Sequence, residues 1–274
     1  MAEKNDMQDQ AKQLAGEQAL QNQVGERFSA DWKSDQHRER RLVSEFIGLS
    51  GMTFFLSGGA SILAQHGGTD LAPYQFAFIL SAIAALWIMV AVYFLGDISA
   101  HFNPAMTLAF AIRGDMGKAM ALTYIVVQYI AAAAGSSLAL YLFGEGGNLA
   151  ATMPKEGLEI KSLLFEAVLT FGMVLLVLSM ANGPKLNGPF VPIAVGGYIM
   201  AAGTMGGPFD GAAFNPARAF GPDFALGNFT GYWIYPAGSL IGVIAAVITA
   251  RFLRGPAKAQ ESQAAMGTPL NRGD

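Results

Sequence analysis

His101-Phe102-Asn103-Pro104-Ala105-Met106 and Ala213-Phe214-Asn215-Pro216-Ala217-Arg218 are the two stretches that decide how this chain folds. Each centres on Asn-Pro-Ala, and each lies among long uncharged segments. Asn caps the unpaired N–H groups of a helix start, and Pro fits the first turn, where a missing N–H costs nothing. Both stretches therefore predict helix starts. The apolar pieces that follow, 104–112 and about 216–221, are short. At ~1.5 Å per residue the first is roughly 13 Å long, under half a bilayer. They read as half-helices whose N-terminal ends point at one place, not as spans.

Around them lie six segments long enough to cross a membrane, which takes about 20 apolar residues. They are 42–64, 71–96, 119–144, 162–181, 186–209 and 224–250. Only two carry a charge, Glu45 in the first and Glu166 in the fourth. Irregular backbone at membrane depth is tolerable only where it is buried in protein or lines a watery cavity. The two half-helices are therefore expected to be re-entrant.

Composition supports the same class. The 274 residues are 53% hydrophobic and 14% charged, too apolar for an ordinary soluble domain. Of 37 Lys, Arg, Asp and Glu residues, 15 fall in the first 41 positions. Residues 1–38 and 255–274 are polar and read as disordered cytoplasmic tails, flanking a membrane domain over 39–254. There is no cysteine, hence no disulfide, and no basic patch that would suggest nucleic acid. His37, His66 and His101 are too scattered for a zinc site, so no metal and no cofactor are expected. No catalytic triad or phosphate-binding loop stands out, and an enzyme is not expected.

Orientation follows from Lys and Arg. Arg38, Arg40 and Arg41 precede the first span, Arg113 and Lys118 separate the second from the third, and Lys185 separates the fourth from the fifth. Arg251, Arg254 and Lys258 follow the sixth. With six spans these share one side, which predicts both termini in the cytoplasm. The chain also repeats: Glu45 opens one three-span half (about 42–144) and Glu166 the other (about 162–252), with Asn103 58 residues after Glu45 and Asn215 49 after Glu166. Three spans is an odd number, so the halves must be inverted, an arrangement used by transport proteins with broken helices meeting near the midplane. The expected fold is an all-α membrane protein of six transmembrane helices and two re-entrant half-helices.

With two Asn-Pro-Ala boxes, a Glu near the start of each half, and Phe214-Asn-Pro-Ala-Arg-Ala-Phe-Gly-Pro222 after the fifth span, residues 42–252 resemble the aquaporin (major intrinsic protein) family. The resemblance implies one pore per subunit, assembly as a homotetramer in the lipid bilayer, and passage of water and small neutral solutes. In such a pore the side-chain oxygens of Asn103 and Asn215 would accept from their own half-helices. Their NH2 groups would then donate to passing water and orient it so that it cannot relay protons. Pro104, Ala105, Pro216 and Ala217 complete the boxes, and the half-helix N-termini add a positive potential that repels cations.

By the same resemblance Arg218 lines the constriction; the plain alternative is a loop arginine paired with Asp210 or Asp223. The other filter positions fall on Gly203, Ala212 and either Ala84 or Ile83, depending on whether 96–101 is one residue short. Small residues there predict a filter wide enough for glycerol, urea or a neutral metalloid hydroxide, unless Trp87 or Phe214 refills it. Ala219 and the pair Tyr235-Pro236 fit neither the glycerol-channel nor the water-channel pattern fully.

Glu45, Glu166 and Gln128 are expected to support the half-helices. The rival is a proton-coupled transporter using Glu45 or Glu166, disfavoured because no buried Lys, Arg or His is expected near them in sequence as a relay partner; a non-conducting scaffold is the second rival. His101 is either a hydrogen-bonded wall residue or a gate titrating near neutral pH. Small residues at Ala131/Gly135 and Gly238/Gly242 predict close helix contacts.

Overall fold

In the computed structural model the described residues are 38–67, 71–96, 98–180 and 190–256. The expected tails, apart from residues 38, 255 and 256, lie outside them, as do His37, Lys185 and Lys258. The described residues form α1 (Arg38–His66), α2 (Pro73–Leu95), α3 (Pro104–Arg113), α4 (Lys118–Phe143), α5 (Glu159–Met180), α6 (Phe190–Asp210), α7 (Pro216–Leu226) and α8 (Ile234–Arg254). Six of these are long and apolar enough to cross a membrane, and no strand occurs among the described residues. The chain is a multi-pass integral membrane protein. Its outer faces carry exposed apolar side chains such as Leu86, Leu122, Val168 and Ile248, suited to lipid rather than water.

The short helices α3 and α7 begin where expected. Asn103 and Asn215 are their N-caps, each extended in φ and ψ, each followed by Pro at the first helical position. Both end on a left-handed glycine, Gly114 at φ 93° and Gly227 at φ 66°. One boundary differs from expectation. The sixth span does not start at Phe224; Phe224 to Leu226 close α7, and α8 begins at Ile234. Phe224 continues an apolar run into the next span, which hides the break. Pro222 does not end α7, and the turn set by Gly227 does.

The two halves pack with twofold logic. Helix α1 packs on α4 and α5 on α8; α2 crosses α6; and each half-helix lies against the last helix of the other half, α7 on α4 and α3 on α8. This is the inverted repeat. Hydroxyls and glycines weld the pairs, since lipid gives helices no hydrophobic reason to associate. Between α1 and α4, Thr53 donates to the Ala132 carbonyl (3.2 Å) and Ser57 meets Ser136 (3.0 Å). A Cβ on Gly135 would fall 2.1 Å from the Ser50 carbonyl oxygen. Between α5 and α8, Thr170 meets Ser239 (3.2 Å), and a Cβ on Gly242 would fall 2.4 Å from the Ala167 carbonyl oxygen. Helix α7 reaches α4 through Gly221, whose Cβ would lie 2.6 Å from the Ala132 carbonyl oxygen.

Candidate functional site

Two buried carboxylates hold the loops that precede α3 and α7. Glu45 on α1 accepts from the backbone N–H groups of His101 (2.8 Å) and Phe102 (2.7 Å). Glu166 on α5 accepts from those of Ala213 (2.7 Å) and Phe214 (2.7 Å). A bidentate carboxylate fixes two successive N–H groups at once, which pins a loop that has no ladder of its own. Phe102 and Phe214 are thereby kept in the left-handed region, at φ 47° and 32°. That conformation costs roughly 1–2 kcal/mol per L-residue and persists only where the surroundings over-determine it.

The strained phenylalanines turn their carbonyls toward the opposite half. Asn103 Nδ2 donates to the Phe214 carbonyl (2.9 Å), and Asn215 Nδ2 donates to the Phe102 carbonyl (2.8 Å). The asparagine oxygens face their own half-helices: Asn103 Oδ1 accepts from Ala105 N–H (2.8 Å), and Asn215 Oδ1 from Ala217 (3.1 Å) and Arg218 (3.2 Å). Each NH2 group expected to donate to passing water also has a partner in the protein. One of its two protons ties the halves together, and one is left over. Sequence reasoning missed this link, although the repeated Phe before each Asn was the available signal.

A cavity of about 960 Å³ runs past this junction and is lined by Asn103, Asn215, Arg218, Gly203, Ala212 and Ala84, among others. The expected filter positions thus all line one cavity. Ala84 lines the cavity, whereas Ile83 faces α1, its Cδ1 2.8 Å from where a Gly59 Cβ would be. Trp87 does not refill the space: its Nε1 donates to the Gly48 carbonyl (2.8 Å), and its ring covers Gly51. Phe214 stays on the lining.

Arg218 is buried, and among the described residues it forms no ion pair with Asp210 or Asp223. Its Nη1 has no hydrogen-bond partner in the protein. Arg218 lines the cavity and its guanidinium donates no hydrogen bond among the described residues, so it has donors to spare for a solute there. The site has one feature that the sequence did not signal. A Cβ on Gly203 would lie 2.4 Å from Ser81 Oγ, so the glycine is a helix-crossing position as well as a lining one.

The Glu45 side is the richer network. Besides the two N–H groups, Glu45 accepts from Ser99 Oγ (2.7 Å) and Gln128 Nε2 (2.8 Å). Gln128 also donates to Thr107 Oγ1 (3.0 Å), which pairs with His101 Nδ1 (3.0 Å). The His101 ring packs between Phe110 and Tyr124, and His101 lines the cavity. The expectation that no buried basic residue stands near Glu45 is corrected: Arg41, one helical turn earlier on α1, is buried.

Comparison with known proteins agrees with this geometry. Residues 32–249 match the family model "Major intrinsic protein". The chain is 32% identical over 211 residues to "Aquaporin NIP1-1" of Zea mays, covering 75% of this chain and 72% of the relative. It is 32% identical over 213 residues to "Nodulin-26" of Glycine max (75% and 74%), and 34% identical over 227 residues to "Aquaporin TIP2-1" of Zea mays (80% and 86%). The X-ray structure of the aquaglyceroporin from Plasmodium falciparum superposes with a TM-score of 0.63 at 20% identity, over 78% of this chain and 96% of that one, which speaks to the fold. The chain belongs to the major intrinsic protein family, whose members are membrane channels rather than enzymes.

Proposed function

We propose that this chain is a passive pore for water and small uncharged solutes (glycerol, urea or neutral metalloid hydroxides) that excludes protons and ions. The observation that carries this reading is the convergence of two half-helix N-termini and the Arg218 guanidinium on one cavity whose remaining filter positions are Ala84, Gly203 and Ala212. Helix N-termini and a buried guanidinium disfavour cations there, while the donors of Arg218, Asn103 and Asn215 hold a neutral solute by hydrogen bonds. The small side chains of Ala84 and Ala212 leave width for a solute larger than water, while the place of a side chain at 203 is held by Ser81 Oγ.

Glu45 and Glu166 act as supports, because their oxygens are spent on backbone N–H groups. That argues against a proton-coupled transporter. His101 serves as wall rather than gate, since its ring is packed between two aromatic rings and bonded to Thr107. Both termini face the cytoplasm by the arginine distribution, and the exposed apolar helix faces suit both lipid and neighbouring subunits of a homotetramer.

Stopped-flow light scattering on proteoliposomes tests the function. Fast shrinkage in a sucrose step, followed by fast reswelling in glycerol or urea, is the expected result. Shrinkage no faster than that of empty vesicles rejects the pore; fast shrinkage without accelerated reswelling restricts it to water for those solutes.

A further inference from the structure

We infer that Ser81 is a specificity-determining residue of this pore, supplying the hydrogen-bond acceptor that complements the donors of Arg218; this rests on the channel reading above. Ser81 sits on α2 where that helix crosses α6, and it is buried against the cavity that Arg218 and Gly203 also line. The crossing is close. A Cβ on Gly207 would fall 2.7 Å from Ala77 Cβ, and one on Gly203 would fall 2.4 Å from Ser81 Oγ. The space that a side chain at position 203 would take is therefore occupied by the Ser81 hydroxyl.

The direction of that hydroxyl follows from its partner. Ser81 Oγ donates to the Ala77 carbonyl one turn earlier (2.6 Å), so its proton is committed. What remains is acceptor lone pairs, whereas a guanidinium has donors and no acceptor. A polyol or urea carries both kinds of group. Stripped of water in the cavity that Ala84 and Ala212 also line, such a solute keeps its acceptors paired to Arg218 and a donor paired to Ser81. Removing the hydroxyl leaves that donor unpaired in an apolar surrounding, which penalises the larger solute. Water is less affected, because neighbouring waters in the file pair with it.

The test is the ratio of glycerol and of urea permeability to water permeability in proteoliposomes of the full chain. The unsubstituted protein is compared with Ser81→Ala, with Ser81→Thr, which keeps the hydroxyl, and with Gly203→Ala, whose new Cβ pushes the hydroxyl aside. The ratio is expected to fall about three- to tenfold in Ser81→Ala and Gly203→Ala, and to stay within about twofold in Ser81→Thr. A Ser81→Ala ratio within about twofold of the unsubstituted one, or a Ser81→Thr ratio that falls as far as that of Ser81→Ala, overturns the assignment of Ser81 alone. An unsubstituted protein that passes water but neither solute overturns it together with the solute part of the proposed function.

Discussion

Asn103 and Phe214 lie 111 positions apart in the chain and are joined by a 2.9 Å hydrogen bond from the asparagine amide to the phenylalanine carbonyl. Its mirror image, Asn215 to Phe102, spans 113 positions at 2.8 Å. The same asparagines cap α3 and α7, so the capping oxygen and the bridging nitrogen of one side chain set the helix start and the junction between the halves together. The pore centre and the keystone of the fold are thus the same atoms.

Replacing Asn103 or Asn215 by Ala deletes a helix cap and orphans a buried carbonyl of the other half. Each change is expected to cost about 1–3 kcal/mol. The double variant is expected to cost less than the sum, because the first break already loosens the junction that the second would break. Thermal unfolding in detergent, followed by tryptophan fluorescence, reads this directly. Single variants with an unshifted midpoint, or strict additivity, would contradict the keystone role.

Glu45→Gln and Glu166→Gln separate support from proton coupling. A glutamine presents an NH2 where the carboxylate accepted a backbone N–H, placing donor against donor. Stability is expected to drop by about 1–3 kcal/mol in either variant. Water flux through whatever folds should persist and ignore an imposed pH gradient. Flux that follows the gradient in the unsubstituted protein, and loses that dependence in either variant, would instead make the pair proton carriers.

Glycine at the helix seams is testable by contrast. A Cβ at Gly135 meets the Ser50 carbonyl oxygen at 2.1 Å and Thr53 Oγ1 at 2.3 Å, and a backbone atom cannot rotate away. Gly135→Ala is expected to separate α1 from α4, break the Thr53–Ala132 bond and cost about 1–3 kcal/mol. Gly197 has nothing within 4 Å of its Cβ position, and Gly197→Ala should be neutral or gain up to about 1 kcal/mol. Equal midpoints for the two variants would falsify the seam argument.

What was legible in the sequence divides along physical lines. The spans were, because apolar length alone marks them. The starts of α3 and α7 were too, since Asn-Pro caps act within a few residues. The cross-half bonds of Asn103 and Asn215 were not, because nothing local encodes a partner more than a hundred positions away. Ser81 was silent for a different reason: a serine bonded to the carbonyl four residues back looks alike on any apolar helix, and only the approach of Gly203 distinguishes this one. The start of α8 was misplaced because Phe224, Ala225 and Leu226 are as apolar as the span they precede.

Arg218 should behave oppositely to the asparagines. Its guanidinium is buried but makes no ion pair among the described residues, and Nη1 has no protein partner. Its removal therefore orphans no hydrogen-bond acceptor among the described residues, and Arg218→Ala is expected to shift the unfolding midpoint by less than either Asn→Ala change. Selectivity should change instead. Without that charge, the remaining positive field at the filter comes from the half-helix N-termini, each worth about half an elementary charge and fading within a turn. Proton or potassium leak in proteoliposomes, read by an internal pH dye or a potential-sensitive dye, should rise while water flux persists. Arg218→Lys keeps the charge and loses the planar fork, so it should hold back ions and discriminate solutes less sharply. Ion leak as large in Arg218→Lys as in Arg218→Ala would show that shape, not charge, excludes ions here.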